Sequence, residues 1–137
     1  TMVDDMKIFE VAEANEAYVN AVNRLLLQLS SSPAPFTADM LAGIVNSSSS
    51  HLFFVECENV IVGMLTVGEY LAPTGRKMWI EDVVVDEAMR GRAIGRMLVE
   101  HAIAFAGSLG NGTLMLTSRP SRIAANALYR TAQLPSL

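Results

Sequence analysis

The residues best suited to chemistry lie in one short run, Arg90-Gly91-Arg92-Ala93-Ile94-Gly95-Arg96. Gly91 and Gly95 allow a backbone to come close to a bulky anion, and Arg90, Arg92 and Arg96 add positive charge around it. The run follows an apolar stretch at residues 78–85 that reads as a strand. It opens a segment in which Ile94, Met97, Leu98, Ala102, Phe105 and Ala106 recur every third or fourth residue, which predicts a helix. The first N–H groups of a helix have no partner within it, and the dipole places positive potential there, so the run predicts a pyrophosphate cradle. It is neither of two familiar phosphate loops. Gly-x-Gly-x-x-Gly fails at Ala93, and Gly-x-x-x-x-Gly-Lys-Ser/Thr fails because Arg96 and Met97 follow Gly95.

The rest of the composition suits a protein that holds a phosphorylated small molecule. The 137 residues, 51% hydrophobic and 18% charged, predict one domain over residues 1–137 with a real core, not a disordered tail. Apolar runs such as residues 60–67 are far shorter than the roughly 20 residues that span a bilayer. The N-terminus carries acids where a signal peptide carries bases, so a soluble cytoplasmic protein with no membrane partner is expected. Residues 1–89 hold four basic residues against thirteen acids, and residues 90–137 hold six arginines against Glu100 alone. The second half is therefore the anion-binding half. Six arginines spread over loops and helix ends in an acidic chain make a poor nucleic-acid footprint, so no nucleic-acid partner is expected. Cys57, the single cysteine, excludes an internal disulfide and a cysteine metal cluster and reads as a small core residue. His51 and His101 lack matched carboxylates in sequence and read as structural or solvated, so no metal is expected.

The elements that must position the cradle follow from periodicity. Residues 6–11 predict a first strand after a frayed start. Residues 15–29 predict an amphipathic helix with Ala17, Val19, Ala21, Val22, Leu25, Leu26 and Leu29 on one face. Residues 30–36, rich in Ser and Pro, read as a surface loop that either lines an acceptor site or merely connects. Thr37 is a plausible N-cap for a short helix at 38–45. Residues 51–57 and 60–70 read as paired strands around a Glu58-Asn59 turn, and 71–77, with Pro73 and Gly75, as a loop. After the strand at 78–85 and the helix that the cradle opens come a strand at 113–117, a loop at 118–122 and a helix at 123–133. The order β-α-α-β-β-β-α-β-α predicts an α+β fold with a central, mostly antiparallel sheet.

Arg90-Gly91-Arg92-Ala93-Ile94-Gly95 matches Arg/Gln-x-x-Gly/Ala-x-Gly/Ala after a Val-rich strand. With Ile80-Glu81-Asp82-Val83-Val84-Val85-Asp86 before it and Ala125-Asn126-Ala127-Leu128-Tyr129 after it, the chain resembles the GNAT superfamily of N-acetyltransferases. The resemblance covers nearly the whole chain and implies a GNAT-like acyl-CoA N-acyltransferase fold, a mixed sheet flanked by helices. It implies acetyl-CoA (coenzyme A) as co-substrate, with no metal, and a primary amine of a small molecule or peptide as acceptor. It places pantetheine along Val83, Val84 and Val85, and the pyrophosphate on Arg90, Gly91, Arg92, Ala93, Ile94, Gly95 and Arg96. Asn126 and Tyr129, three apart on one helix face, are implied to meet the cofactor, with the Tyr129 hydroxyl beside the thioester sulfur. A tyrosine, with an ordinary pKa of about 10, holds its proton at neutral pH and can give it to the departing thiolate.

Deprotonation of the acceptor ammonium needs a base, and Glu81 and Asp82 are the candidates. As neighbours on a strand they are expected on opposite faces. Glu81 is favoured because this strand lies beside the amine in the small-amine acetyltransferases that the pair resembles; Asp82 is second, and a structural role is the alternative for either. A backbone N–H near Val83 is the expected oxyanion donor. Cys57 lies outside these motifs, so direct attack in a ternary complex is expected. Ser118, Arg119 and Arg122 precede the last helix and suit a cofactor phosphate, an acidic acceptor or a solvated loop equally.

Where the family pattern continues with Gly-Phe and two more strands, this sequence has Gln133-Leu134-Pro135-Ser136-Leu137. An uncovered edge on the strand at 113–117 invites association, so a homodimer is expected. The alternative is a catalytically impaired CoA-binding regulatory or structural module.

Overall fold

The computed structural model describes residues 6–91, 93–109 and 113–116. Five strands, β1 (Met6–Glu10), β2 (Ser50–Cys57), β3 (Val60–Ala72), β4 (Gly75–Val85) and β5 (Thr113–Leu116), form one sheet in the order of the chain. The first four are antiparallel, and β5 runs parallel to β4, with Lys77 opposite Thr113 and Ile80 opposite Leu116. The expected mostly antiparallel, mixed sheet is present. The predicted helix at 123–133 lies outside the described residues.

Alternation along β2 gives the sheet two apolar faces. Phe53, Val55 and Cys57 join a cluster with Ile94, Leu98, Val99, Ala102 and Ala106 of helix α3 (Ile94–Ser108). Leu52 and Phe54 join the opposite cluster with Ala21, Val22 and Leu25 of helix α1 (Glu16–Leu26) and Leu41 of helix α2 (Ala38–Asn46). The sheet is thus covered by α3 on one side and by α1 and α2 on the other. Cys57 is a buried free thiol in the α3-side core, as its composition reading expects.

Local chemistry explains most boundaries. Thr37 caps α2 as predicted, accepting from the Met40 N–H at 3.2 Å. Asn15 caps α1 through the Tyr18 N–H at 2.8 Å, and the helix ends at Leu26, not at 29. Its last turn tightens into Gln28-to-Leu25 and Leu29-to-Leu26 backbone bonds. Glu58 and Asn59 both have positive φ (51° and 68°), the geometry that closes a two-residue hairpin between β2 and β3 without splaying them.

One element differs from expectation. Residues 71–77 form no loop: β3 continues to Ala72 and β4 begins at Gly75, with Pro73 and Thr74 as a two-residue turn. Proline lacks the N–H that a ladder needs, yet at the hairpin tip none is required, and Gly75 takes the positive φ (120°) beyond it.

Candidate active site

β4 carries an irregularity that sequence periodicity could not reveal. Met64 stands opposite Val84 and Thr66 opposite Glu81, so Leu65 alone faces both Asp82 and Val83. Asp82 has φ +53°, in the left-handed region, and the strand bulges there. The extra residue changes which side chains share a face. Met78 and Ile80 lie in the α3-side core, and past the bulge Val83 and Val85 pack against that same core while Val84 joins the α1/α2-side core. The regular alternation of the strand is therefore interrupted at this pair: Glu81 is exposed, and Asp82 is the bulge residue itself. The pairing of β4 with the described part of β5 stops at Ile80 opposite Leu116, so Val83, Val84 and Val85 lie beyond it.

After β4 the chain is held by Asp86. Its N–H donates to the Val62 carbonyl at 2.8 Å, and its Oδ1 accepts from the Ala88 N–H at 3.0 Å, capping the 3₁₀ turn Glu87–Met89. Gly91 (φ 88°) and Ala93 (φ 61°, ψ 22°) then both adopt left-handed backbone, and α3 starts immediately. Among the described residues no side chain caps α3. Its first-turn N–H groups point away from the helix with the positive end of the dipole behind them. Arg90 and Gly91 are exposed. Arg96 is half-exposed and reaches Glu100 one turn on, at 3.1 Å.

The first turn of α3 sits on bare backbone. A Cβ at Gly63 would lie 3.2 Å from the Val84 carbonyl oxygen, 3.3 Å from Leu98 Cδ1 and 3.6 Å from Ile94 Cγ2. Glycine at that point lets Ile94 and Leu98, each 1% exposed, anchor the helix start against β3 and β4.

From the other side, α1 and the turn that ends it grip the same connection. Arg24 reaches Asp86 Oδ2 at 2.9 Å and the Ile61 carbonyl at 2.5 Å, and Gln28 Oε1 accepts from the Glu87 N–H at 2.9 Å. Asn23 pins the Ser/Pro-rich loop, donating to the Phe36 carbonyl and accepting from the Phe36 N–H, both at 2.9 Å. Nothing local in the sequence signals these contacts, since Arg24 and Asp86 are 62 residues apart.

The structure thus brings Glu81, Asp82, Val83, Val84, Val85, Arg90, Gly91, Ala93, Ile94, Gly95 and Arg96 onto one continuous path from the bulge to the helix start. Arg92, Ser118, Arg119, Arg122, Asn126 and Tyr129 lie outside the described residues. Both histidines stand apart from this path. His101 meets the Phe53 ring edge-on at 5.0 Å. His51 lies at the other end of the sheet, with Nδ1 2.9 Å from Glu10 and Nε2 2.8 Å from Glu69, which also pairs with Arg76. That row of four side chains spans β1 to β4, and the His51 ring within it lies tilted against Phe105 of α3, with centroids 4.7 Å apart. Among the described residues no group of three His, Cys, Asp or Glu could hold a metal ion. No helix among them is long and apolar enough to cross a membrane.

A bulged strand running into a helix behind two left-handed residues, in a mixed five-stranded sheet covered by helices on both faces, defines an α+β domain. The chain belongs to the acetyltransferase (GNAT) family, whose model matches residues 16–132. No curated protein matches the sequence. Among solved structures, an aminoglycoside acetyltransferase from an uncultured soil metagenomic sample, in complex with trehalose, superposes with TM-score 0.84 at 20% identity, over 97% of this chain and 90% of that one. Glucosamine-6-phosphate N-acetyltransferase from Arabidopsis thaliana gives 0.77 at 21% identity, over 96% and 92%. An aminoglycoside N-acetyltransferase in complex with CoA gives 0.74 at 15% identity, over 96% and 88%. These likenesses show the fold, and the family is one of acyl transfer.

Proposed function

We propose that the chain is an acetyl-CoA-dependent N-acetyltransferase that acetylates a primary amine of a small molecule or peptide by direct attack in a ternary complex. The observation that carries this reading is the uncapped start of α3, reached through the left-handed pair Gly91 and Ala93. Exposed N–H donors, a helix dipole and the exposed Arg90 fit a diphosphate there. A strand-like pantetheine fits Val83, Val84 and Val85, which lie past the described pairing with β5. All three structural neighbours are named for amino-sugar acceptors, and the last of them was solved with CoA. Those names support the substrate classes proposed here.

In this reading Glu81, exposed on β4 beside the bulge, takes the proton of the acceptor ammonium, with Asp82 as the alternative base. The freed amine forms a C–N bond to the thioester carbonyl as the C–S bond breaks. A backbone N–H near Val83 steadies the carbonyl oxygen, and Tyr129 gives a proton to the departing thiolate and takes back the one that the acylated nitrogen sheds. Arg92 and Asn126 complete the cofactor contacts. A single domain over residues 1–137, a homodimer and a cytoplasmic location belong to the same proposal and rest on the sequence alone; sedimentation reads out the second.

The test is calorimetric titration with acetyl-CoA of the wild-type chain, Arg90→Ala and Tyr129→Phe, followed by thiol release across pools of amines. Weaker binding by Arg90→Ala alone, with amine-dependent thiol release that Tyr129→Phe suppresses, is expected. Binding with no release above hydrolysis makes the chain a CoA-binding module, and no binding overturns the reading.

A further inference from the structure

We infer that Arg24 and Gln28 are positioning residues for the diphosphate loop, so that α1 sets how the chain holds CoA. The inference rests on the reading of the α3 start as the cofactor site. Arg24 lies in the last turn of α1, and Gln28 lies in the tightened turn that ends it, two residues past Leu26, where its N–H bonds back to the Leu25 carbonyl. Arg24 bridges two segments that are themselves joined, Ile61 of β3 and Asp86 after β4, the latter through the Asp86 N–H to the Val62 carbonyl. Gln28 holds the next residue, accepting from the Glu87 N–H. Asp86 spends its second oxygen on the Ala88 N–H, and the Met89 and Arg90 N–H groups close back on the Asp86 and Glu87 carbonyls at 2.8 and 3.2 Å. The path from α1 to Arg90 is therefore a chain of hydrogen bonds without a gap. Arg90 is the residue before the two left-handed turns.

The exposure of the clamp decides what it does. The Arg24 side chain is 42% exposed and that of Asp86 25%, and an ion pair so open to water adds little to global stability. Its effect is geometric. It selects one position for a linker that the strand and the helix leave unspecified, and a loop that must present several N–H groups to one anion loses affinity when displaced by about an ångström. The neighbouring Asn23 ties α1 to the loop that ends at Phe36. One helix thus holds the diphosphate loop with one residue and the Ser/Pro-rich loop with the residue before it.

The experiment titrates CoA and pantetheine, which lacks the diphosphate and nucleotide, into the wild-type chain, Arg24→Ala, Arg24→Lys and Gln28→Ala, with thermal unfolding of each. Arg24→Ala is expected to weaken CoA about tenfold while pantetheine affinity and the unfolding temperature stay near those of the wild type. Arg24→Lys keeps the charge but lacks the planar fork that spans both acceptors, so it recovers only part of the loss. Gln28→Ala, milder and certain to keep the ion pair, shifts CoA in the same direction. Equal CoA affinity in folded Arg24→Ala and Gln28→Ala overturns the inference, and so does a parallel loss of both ligands, which marks a general structural role. A wild-type chain that binds no CoA overturns this inference and the cofactor reading together, an outcome distinct from the other two.

Discussion

Gly63→Ala should damage the fold and the cofactor site together, and its magnitude follows from three distances. The new methyl meets the Val84 carbonyl at 3.2 Å, Leu98 Cδ1 at 3.3 Å and Ile94 Cγ2 at 3.6 Å. The first of these atoms belongs to the backbone of a central strand and cannot swing aside. The second ends a side chain 1% exposed, with packed neighbours all round. Relief must come from lifting the first turn of α3 away from the sheet. Overpacking of this kind costs about 1–3 kcal/mol, and a strand alanine recovers up to about 1 kcal/mol of unfolded-state entropy, leaving a net loss of about 1–2 kcal/mol. Unfolding entropy for a chain of 137 residues is about 0.3 kcal/mol/K, so the midpoint should fall by about 3–7 °C. Urea unfolding gives the loss directly, with Gly68→Ala as control because a Cβ there meets nothing within 4 Å. Gly68→Ala should be neutral or stabilising. CoA titration of the same variants should show weaker binding for Gly63→Ala only. If Gly63→Ala unfolds within about 0.5 kcal/mol of the wild type, α3 is not seated as argued and its start is not held by this contact.

Two further variants probe the backbone and the loop. Ala93 carries a methyl in left-handed conformation at φ 61°, so Ala93→Gly removes a strain of about 1 kcal/mol and should raise the midpoint by a few degrees in thermal unfolding. A lower midpoint would mean that the turn gains more from the methyl than the conformation costs. Asn23→Ala deletes both hydrogen bonds to Phe36 and the one to the Val19 carbonyl at 3.1 Å. It should cost about 1–2 kcal/mol and speed hydrogen exchange at the Phe36 amide, while unchanged exchange would show that the loop is held by the burial of Phe36 alone.

Much of this molecule is local, and what is local was legible. Asn15 and Thr37 bond N–H groups three residues on, so a cap could be read at Thr37 from its neighbours. The Glu58-Asn59 turn needs only two residues that tolerate positive φ, and the spacing of Ile94, Leu98, Ala102 and Ala106 places one helix face on the sheet whatever covers the other. The helix start behind the Arg/Gly run was legible too, because its apolar period begins at Ile94. Three features were decided by the tertiary structure. The bulge at Asp82 exists only against β3, where Leu65 meets two residues, and it alone assigns Glu81, Val83 and Val84 to their faces. The hairpin at Pro73-Thr74 forms because β3 and β4 stay paired to Ala72 and Gly75, which overrides the loop that proline and glycine suggest. Arg24 finds Asp86 only after α1 has folded over the sheet, and a contact across 62 residues leaves no periodic trace. Sequence therefore determined that a helix starts directly behind the Arg/Gly run, because that start belongs to one helix end and its flanking residues. The fold decided where that segment stands, because its position is the sum of contacts made by strands and a helix far away in the chain.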